Sequence, residues 1–146
     1  MATRTELEAA YLATTYRVFL PGGVCDLRLG QASDTLRCWL ETAGAAGFAI
    51  LTAHNPGGRQ VNVATNAERQ SQMEVALLEG NYETYVGENL PDDGVWPVEE
   101  SCFVPDISLA DALALGAQYG QNAIVHGEAD GISRLAWITE NEQQNG

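Results

Sequence analysis

The sequence predicts an α+β fold: a single mixed, largely antiparallel sheet with helices packed on it. Three observations point there. Helix-like and strand-like stretches are scattered among one another, without the regular alternation of a parallel-sheet protein. Asp130-Gly131, between "NAIVH" and "ISRLAWI", is a strong antiparallel hairpin signal. "FAILTA", residues 48–53, has no polar alternation, the pattern of a central strand covered on both faces.

Each element has its own signal. Residues 5–13 put Leu7, Ala10 and Tyr11 on one side of a short helix, and "TTYRVFL" follows as a strand of β-branched and aromatic residues. Pro21-Gly22-Gly23 turns the chain into "CDLRLG", where Leu27 and Leu29 alternate with Arg28. "SDTLRCWLETAG" predicts a helix capped by Ser33 or Asp34, with Leu36, Trp39 and Leu40 on one face and Gly44 and Gly47 ending it. After the apolar strand and a Pro-Gly-Gly loop, Thr65 and Glu68 form a capping-box signature for a helix that Gly80 closes. "YETYVGE" reads as a strand, "NLPDDG" as a turn, and "VWPVEESCFV" as a longer strand interrupted by Pro97. Ser108 and Asp111 cap the next helix, whose Leu109, Ala112, Leu113 and Gly116 form a narrow packing stripe, and Gly120 ends it in the left-handed conformation. No internal repeat is visible. Residues 1–138 are expected to form one domain, and 139–146, "TENEQQNG", a polar disordered tail.

Charge narrows the function. Twenty carboxylates face seven basic residues, for a formal net charge of −13, so phosphate backbones and anionic membranes are disfavoured as partners. The basic residues are Arg4, Arg17, Arg28, Arg37, Arg59, Arg69 and Arg134, with no lysine. A Schiff-base enzyme and a Walker-type phosphate loop each need a lysine, and both are excluded. Cys25, Cys38 and Cys102 are odd in number and lack C-x-x-C spacing, which argues for reduced thiols in a cytoplasmic protein. Glu6 and Glu8 stand where a secretory signal needs an apolar centre, and the longest apolar stretch falls short of the roughly 20 residues that span a bilayer.

The unusual polar residues fall at strand ends and on one helix face. "TAHNPGGRQ" ends the apolar run abruptly, so Asn55-Pro56 is either a turn signal or the lip of a pocket. Asn66 and Arg69 share a helical stripe with Met73 and Leu77, the side that faces the core. A guanidinium there needs an acceptor, either in a structural ion pair with Glu99 or as a recognition group. Strand alternation sets Glu99, Ser101 and Phe103 on one face and Val98, Glu100, Cys102 and Val104 on the other. Gln121 and Asn122 occupy the link after Gly120 and can cap backbone groups or face a ligand.

"TAHNP", "NAER", "EES" and "YGQNAIV", in that order and at comparable spacing, resemble the bacterial family catalogued as domain of unknown function 3293. The resemblance spans roughly residues 11–137 and rests on these motifs jointly. It implies Asn55, Pro56, Asn66, Arg69, Glu99, Ser101, Gly120, Gln121 and Asn122 as the family's positions. Glu100 and Cys102 depart from it, since the family pattern there has Pro and a bulky apolar residue. The resemblance implies no activity.

Catalytic motifs are incomplete. Ser101 lacks the Gly-x-Ser-x-Gly turn that exposes a nucleophile, and isolated His54 and His126 make a poor triad. Those histidines with Glu99 lack metal-ligand spacing, and no metal or cofactor is expected. Cys102 reads as a core thiol. The reading carried forward is a small acidic binding module. Its pocket would be built from Asn55, Asn66, Arg69, Glu99, Ser101, Gln121 and Asn122, for a small anionic or amide-bearing ligand. The alternatives are a protein-interaction module acting through its acidic surface, and an enzyme using Glu99 as acid or base. Oligomeric state is not legible.

Overall fold

The computed structural model describes residues 3–138. The expected tail at 139–146 lies outside the described residues. The order of elements is α1 (Arg4–Leu12), β1 (Thr14–Leu20), β2 (Gly23–Leu27), α2 (Asp34–Ala43), β3 (Gly47–Leu51), α3 (Val63–Glu79), β4 (Tyr85–Pro91), β5 (Glu99–Pro105), α4 (Leu109–Gln118), β6 (Ala123–Glu128) and β7 (Arg134–Trp137). The strands form one seven-stranded sheet in the order β2-β1-β4-β5-β3-β6-β7, and each hydrogen-bonded neighbour is antiparallel. The fold is α+β.

Three helices join strands that run the same way but are not adjacent: α2 between β2 and β3, α3 between β3 and β4, α4 between β5 and β6. Right-handed crossovers fix their faces. The β5-to-β6 step reverses both the strand direction and the sideways shift of the β3-to-β4 step, so α3 and α4 share a face. The β2-to-β3 step reverses only the shift, which sends α2 to the opposite face. The core divides accordingly. Leu36 and Leu40 of α2 pack with Tyr16, Val18, Leu27, Phe48, Ile50 and Phe103 on one side. Met73 and Leu77 of α3 and Ala112 of α4 pack with Ala49, Leu51, Cys102, Val104 and Ile124 on the other. Every position of β3 is buried, as its unbroken apolar run predicts.

The sheet curls until its edges touch at one end. Leu29 bridges Ser133, Ala32 bridges Ile132, and the Gly30 amide donates to the Ser133 carbonyl at 2.7 Å. This half-barrel encloses the α2 side. The strands of its wall approach closely at Gly87, where a Cβ would stand 2.6 Å from Ser101 Oγ and 2.7 Å from the Arg17 carbonyl oxygen.

Three expectations about boundaries need correction. The cap of α3 is Asn62, whose side chain accepts from the Thr65 amide, so the helix starts before the Thr65/Glu68 pair. β4 continues through Asn89, Leu90 and Pro91, because pairing with β1 extends to Thr14 opposite Pro91, and the turn begins only at Asp92. β5 begins after Pro97, at Glu99, in keeping with a residue that has no amide to give a ladder.

Candidate functional site

The half-barrel is filled by α2 at one end and left open at the other, where α1 lies across it. Between them is a cavity of about 320 Å³. Its wall comes from the inward positions of the strands: Thr14 and Tyr16 of β1, Ile50 of β3, Asn89 and Pro91 of β4, Glu99 of β5, Ala123 and Val125 of β6. The connecting loops add Thr52, Asn55, Gly58, Trp96, Pro97, Gln121 and Asn122, and α1 adds Glu6, Leu7, Ala10 and Tyr11.

α1 is a thin cover. A capping box starts it, with the Glu6 amide donating to Thr3 Oγ1 and the Thr3 amide to Glu6 Oε1. None of its residues is fully buried, only Leu7 and Tyr11 being half-buried, so tertiary packing gives it little stability of its own. Its ends are tied instead. Arg4 sits over the Trp137 ring at 4.4 Å, and Tyr11 meets Trp137 edge-on at 6.0 Å. Thr14 Oγ1 donates to the Ala10 carbonyl at 2.8 Å and Arg28 Nη2 to the Leu12 carbonyl at 2.8 Å.

Glu99 is the anchored acid of the wall. Its Oε2 accepts from Asn55 Nδ2 at 2.8 Å and from Trp96 Nε1 at 3.0 Å, while Oε1 receives no donor from the described residues. Two donors fill the two lone pairs of Oε2, which fixes the carboxylate plane. Glu99 stands opposite Asn89 in the β4–β5 ladder, and Asn89 opposite Tyr16 in the β1–β4 ladder. Asn89 Oδ1 is buried without a partner, and so is Ser101 Oγ, two positions along β5 from Glu99 on the same face.

The charge of Glu99 is felt across the site. The Tyr11 hydroxyl is pushed up to about 12, first by burial and then by Glu99. Tyr16 is also raised, by burial, then by Tyr11, with Glu99 a smaller contributor. His54 is lowered, because burial outweighs the opposing pull of Glu99 and Glu100. Both tyrosines therefore stay neutral donors at physiological pH.

Asn55 joins the two sides of the sheet. It is 4% exposed and adopts φ 47°, a left-handed conformation that Asn tolerates better than most residues. Its amide donates to Asn66 Oδ1 at 2.8 Å, and its Oδ1 accepts from Asn66 Nδ2 at 3.0 Å and from the Val61 amide at 3.0 Å. Asn55-Pro56 is thus both a turn and a pocket lip, since the 3-10 turn Pro56–Gly58 follows it directly. Gly120 closes against that turn. With φ 73°, it accepts from the Gly57 amide at 2.7 Å, and a Cβ there would meet Pro56 Cβ at 2.9 Å.

Of the residues expected at the site, Asn55, Glu99, Gln121 and Asn122 line the cavity. Gln121 Nε2 donates to the His54 carbonyl at 3.0 Å. Ser101 lies buried in the wall next to Glu99. Asn66 and Arg69 stand behind Asn55 on the α3 side, outside the lining. The ion pair of Arg69 with Glu99 is not formed. The two belong to opposite faces of the sheet, since Glu99 shares the Phe103 face and α3 packs on the Cys102 face. Arg69 instead donates from Nε to the Ala53 carbonyl at 2.9 Å and from Nη2 to the Tyr119 carbonyl.

Sequence reasoning missed Tyr11, Tyr16, Asn89, Trp96 and, on α3, Gln70. Trp96 stood in a segment read as strand, where alternation says nothing about an indole reaching a carboxylate three residues on. Asn89 falls in "NLPDDG", which reads as a turn. Gln70 is 2% exposed, accepts from the Ala53 amide at 2.9 Å and donates to Cys102 Sγ at 3.4 Å. Cys102 is a core thiol, pushed up to about 12 by burial and then by Glu74. Among the described residues no group of three or more His, Cys, Asp or Glu side chains is arranged to hold a metal ion. Among them, too, no helix is long and apolar enough to cross a membrane.

No curated protein and no solved structure matches the chain. A family profile described as "Protein of unknown function (DUF3293)" matches residues 51–124, half of the sequence. That span runs from the end of β3 to the start of β6 and holds Asn55, Asn66, Arg69, Asn89, Trp96, Glu99, Ser101, Gln121 and Asn122, while α1, β1, β2 and α2 lie outside it. A clamped carboxylate with the loops that hold it is therefore the part of the site inside the match, and the chain belongs to this family of unknown function, DUF3293.

Proposed function

We propose that the protein is a small-molecule binding module whose ligand lies beneath α1, with an apolar body against the cavity wall and a hydrogen-bond-donating head at Glu99. The observation that carries this reading is the asymmetry of Glu99: one carboxylate oxygen is saturated by Asn55 and Trp96, the other has no donor, and the group sits on the wall of a cavity. An isolated carboxylate in a largely apolar cavity is costly unless it has partners, so a fixed acceptor there suits a donor from a ligand. An amide-bearing head fits. An anionic head does not, because the lining offers carboxylates at Glu6 and Glu99 and no basic side chain among the described residues. The three unpaired thiols support a cytoplasmic setting.

The test is a fragment screen followed by amide and indole NMR. Ligands of the cavity shift the Tyr11, Asn55, Trp96 and Asn122 signals together and lose affinity in Leu7→Trp, which fills the space from the unburied helix. A screen in which every hit leaves those signals unmoved, or binds Leu7→Trp as well as the native chain, refutes the reading.

A further inference from the structure

The geometry points to the chemical class of the head: we infer that the cavity selects a compact primary ammonium over a planar guanidinium, an amide or a carboxylate. This rests on the proposed binding function and adds its specificity.

Charge gives the first step. Glu6 and Glu99 are the charged side chains in the lining, and the whole chain carries −13. Such a field concentrates cations at the mouth of the cavity and repels anions. Tyr11, Tyr16 and Trp96 add aromatic side chains to the same lining, and such rings attract a desolvated cation.

The hydrogen-bond pattern gives the second. A guanidinium binds a carboxylate best through two parallel bonds, one to each oxygen. Glu99 has only one oxygen to give, since Oε2 already holds Asn55 Nδ2 and Trp96 Nε1. A planar fork would have to displace one of them. An ammonium needs a single acceptor in front of it and distributes its remaining N–H groups among neighbours at other angles. Asn89, Thr52, Gln121 and Asn122 lie in the lining as polar residues to serve as those neighbours. Asn89 stands directly across the ladder from Glu99.

Four compounds with one phenylethyl body test this: phenethylammonium, phenethylguanidinium, 3-phenylpropanamide and 3-phenylpropanoate, titrated calorimetrically into the full chain. Phenethylammonium should bind at least tenfold more tightly than the other three, weaken with added salt, and lose at least tenfold in Glu99→Gln. That variant keeps an acceptor for Asn55 and Trp96. Trp96→Phe supplies an independent readout, because it frees a lone pair of Oε2 and should narrow the ammonium-to-guanidinium ratio. Equal or tighter binding of the guanidinium or the amide, or an ammonium affinity unchanged in Glu99→Gln, overturns the inference. If the amide then still binds and is blocked by Leu7→Trp, the cavity stands as a binding site and only its selectivity has been misjudged. If none of the four binds, the inference falls, and the binding function is judged by the wider screen.

Discussion

Removing the Asn55 side chain should be among the most damaging single changes near the site, and its cost follows from the bonds it makes. In Asn55→Ala, the Val61 amide and Asn66 Nδ2 each lose an acceptor at 3.0 Å, and Glu99 loses a donor at 2.8 Å. Two neutral bonds at about 1 kcal/mol and one charge-assisted bond at about 2 kcal/mol set the scale. Alanine also tolerates the φ of 47° poorly, adding about 1 kcal/mol of backbone strain. The total is about 4–5 kcal/mol, a large fraction of the 5–15 kcal/mol typical of a domain. Asn55→Gly loses the same bonds without the strain and should be about 1 kcal/mol less harmful. Urea denaturation followed by circular dichroism measures both. With a slope near 2 kcal/mol/M, the alanine variant should unfold at roughly 2 M less urea. A loss below about 1 kcal/mol for alanine, or a glycine variant worse than alanine, would refute the role of Asn55 as the clamp between the two sheet faces.

Arg69→Ala leaves the Ala53 carbonyl without its donor and the Tyr119 carbonyl with only the 3.3 Å bond from Gln121 Nε2, and should cost about 1–3 kcal/mol in urea melts, with cavity affinity unchanged where the variant is folded; normal stability with lost binding would contradict this. Gly87→Ala forces a Cβ to 2.6 Å from Ser101 Oγ and 2.7 Å from a backbone oxygen, so it should lose about 1–3 kcal/mol or more, and a neutral result would show that β4 and β5 lie farther apart. Glu74 is raised by burial first and then by Glu100, so its folded-state value lies above its unfolded one and its charge opposes folding at neutral pH. Glu74→Gln should therefore raise Tm at pH 7, with the gain shrinking as the pH falls through the carboxylate range and both states of Glu74 become protonated; a gain that grows on acidification would contradict the sign.

The fold was largely legible because its signals are local. The β3 run, the Ser33 and Ser108 caps, the Gly44 and Gly120 ends and the Asp130-Gly131 hairpin each depend on a few neighbouring residues. The boundaries missed at α3 and β4 were decided by competition. Asn62 outdid Thr65 as a cap, and cross-strand pairing with β1 carried β4 through a segment that reads as turn. The site was half legible. Asn55, Glu99, Gln121 and Asn122 stand at strand ends, where polar residues next to apolar runs invite attention. The pairing of Arg69 with Glu99 was misjudged because alternation tells which residues share a face of one strand, whereas the face a helix covers depends on strand order and crossover handedness. Nothing local marks Asn89 or Trp96, which meet Glu99 only through β-sheet register and a loop.

The most direct measurement is the NMR signal of the Trp96 indole N–H, assigned by its loss in Trp96→Phe, during a titration with phenethylammonium. That proton points at the carboxylate oxygen behind the proposed contact, so it should shift saturably, in step with the α1 amides of Leu7 and Tyr11, and stay still in Glu99→Gln. An indole signal that does not move while the compound binds elsewhere, or that moves equally in Glu99→Gln, would contradict the placement of the ligand head at Glu99.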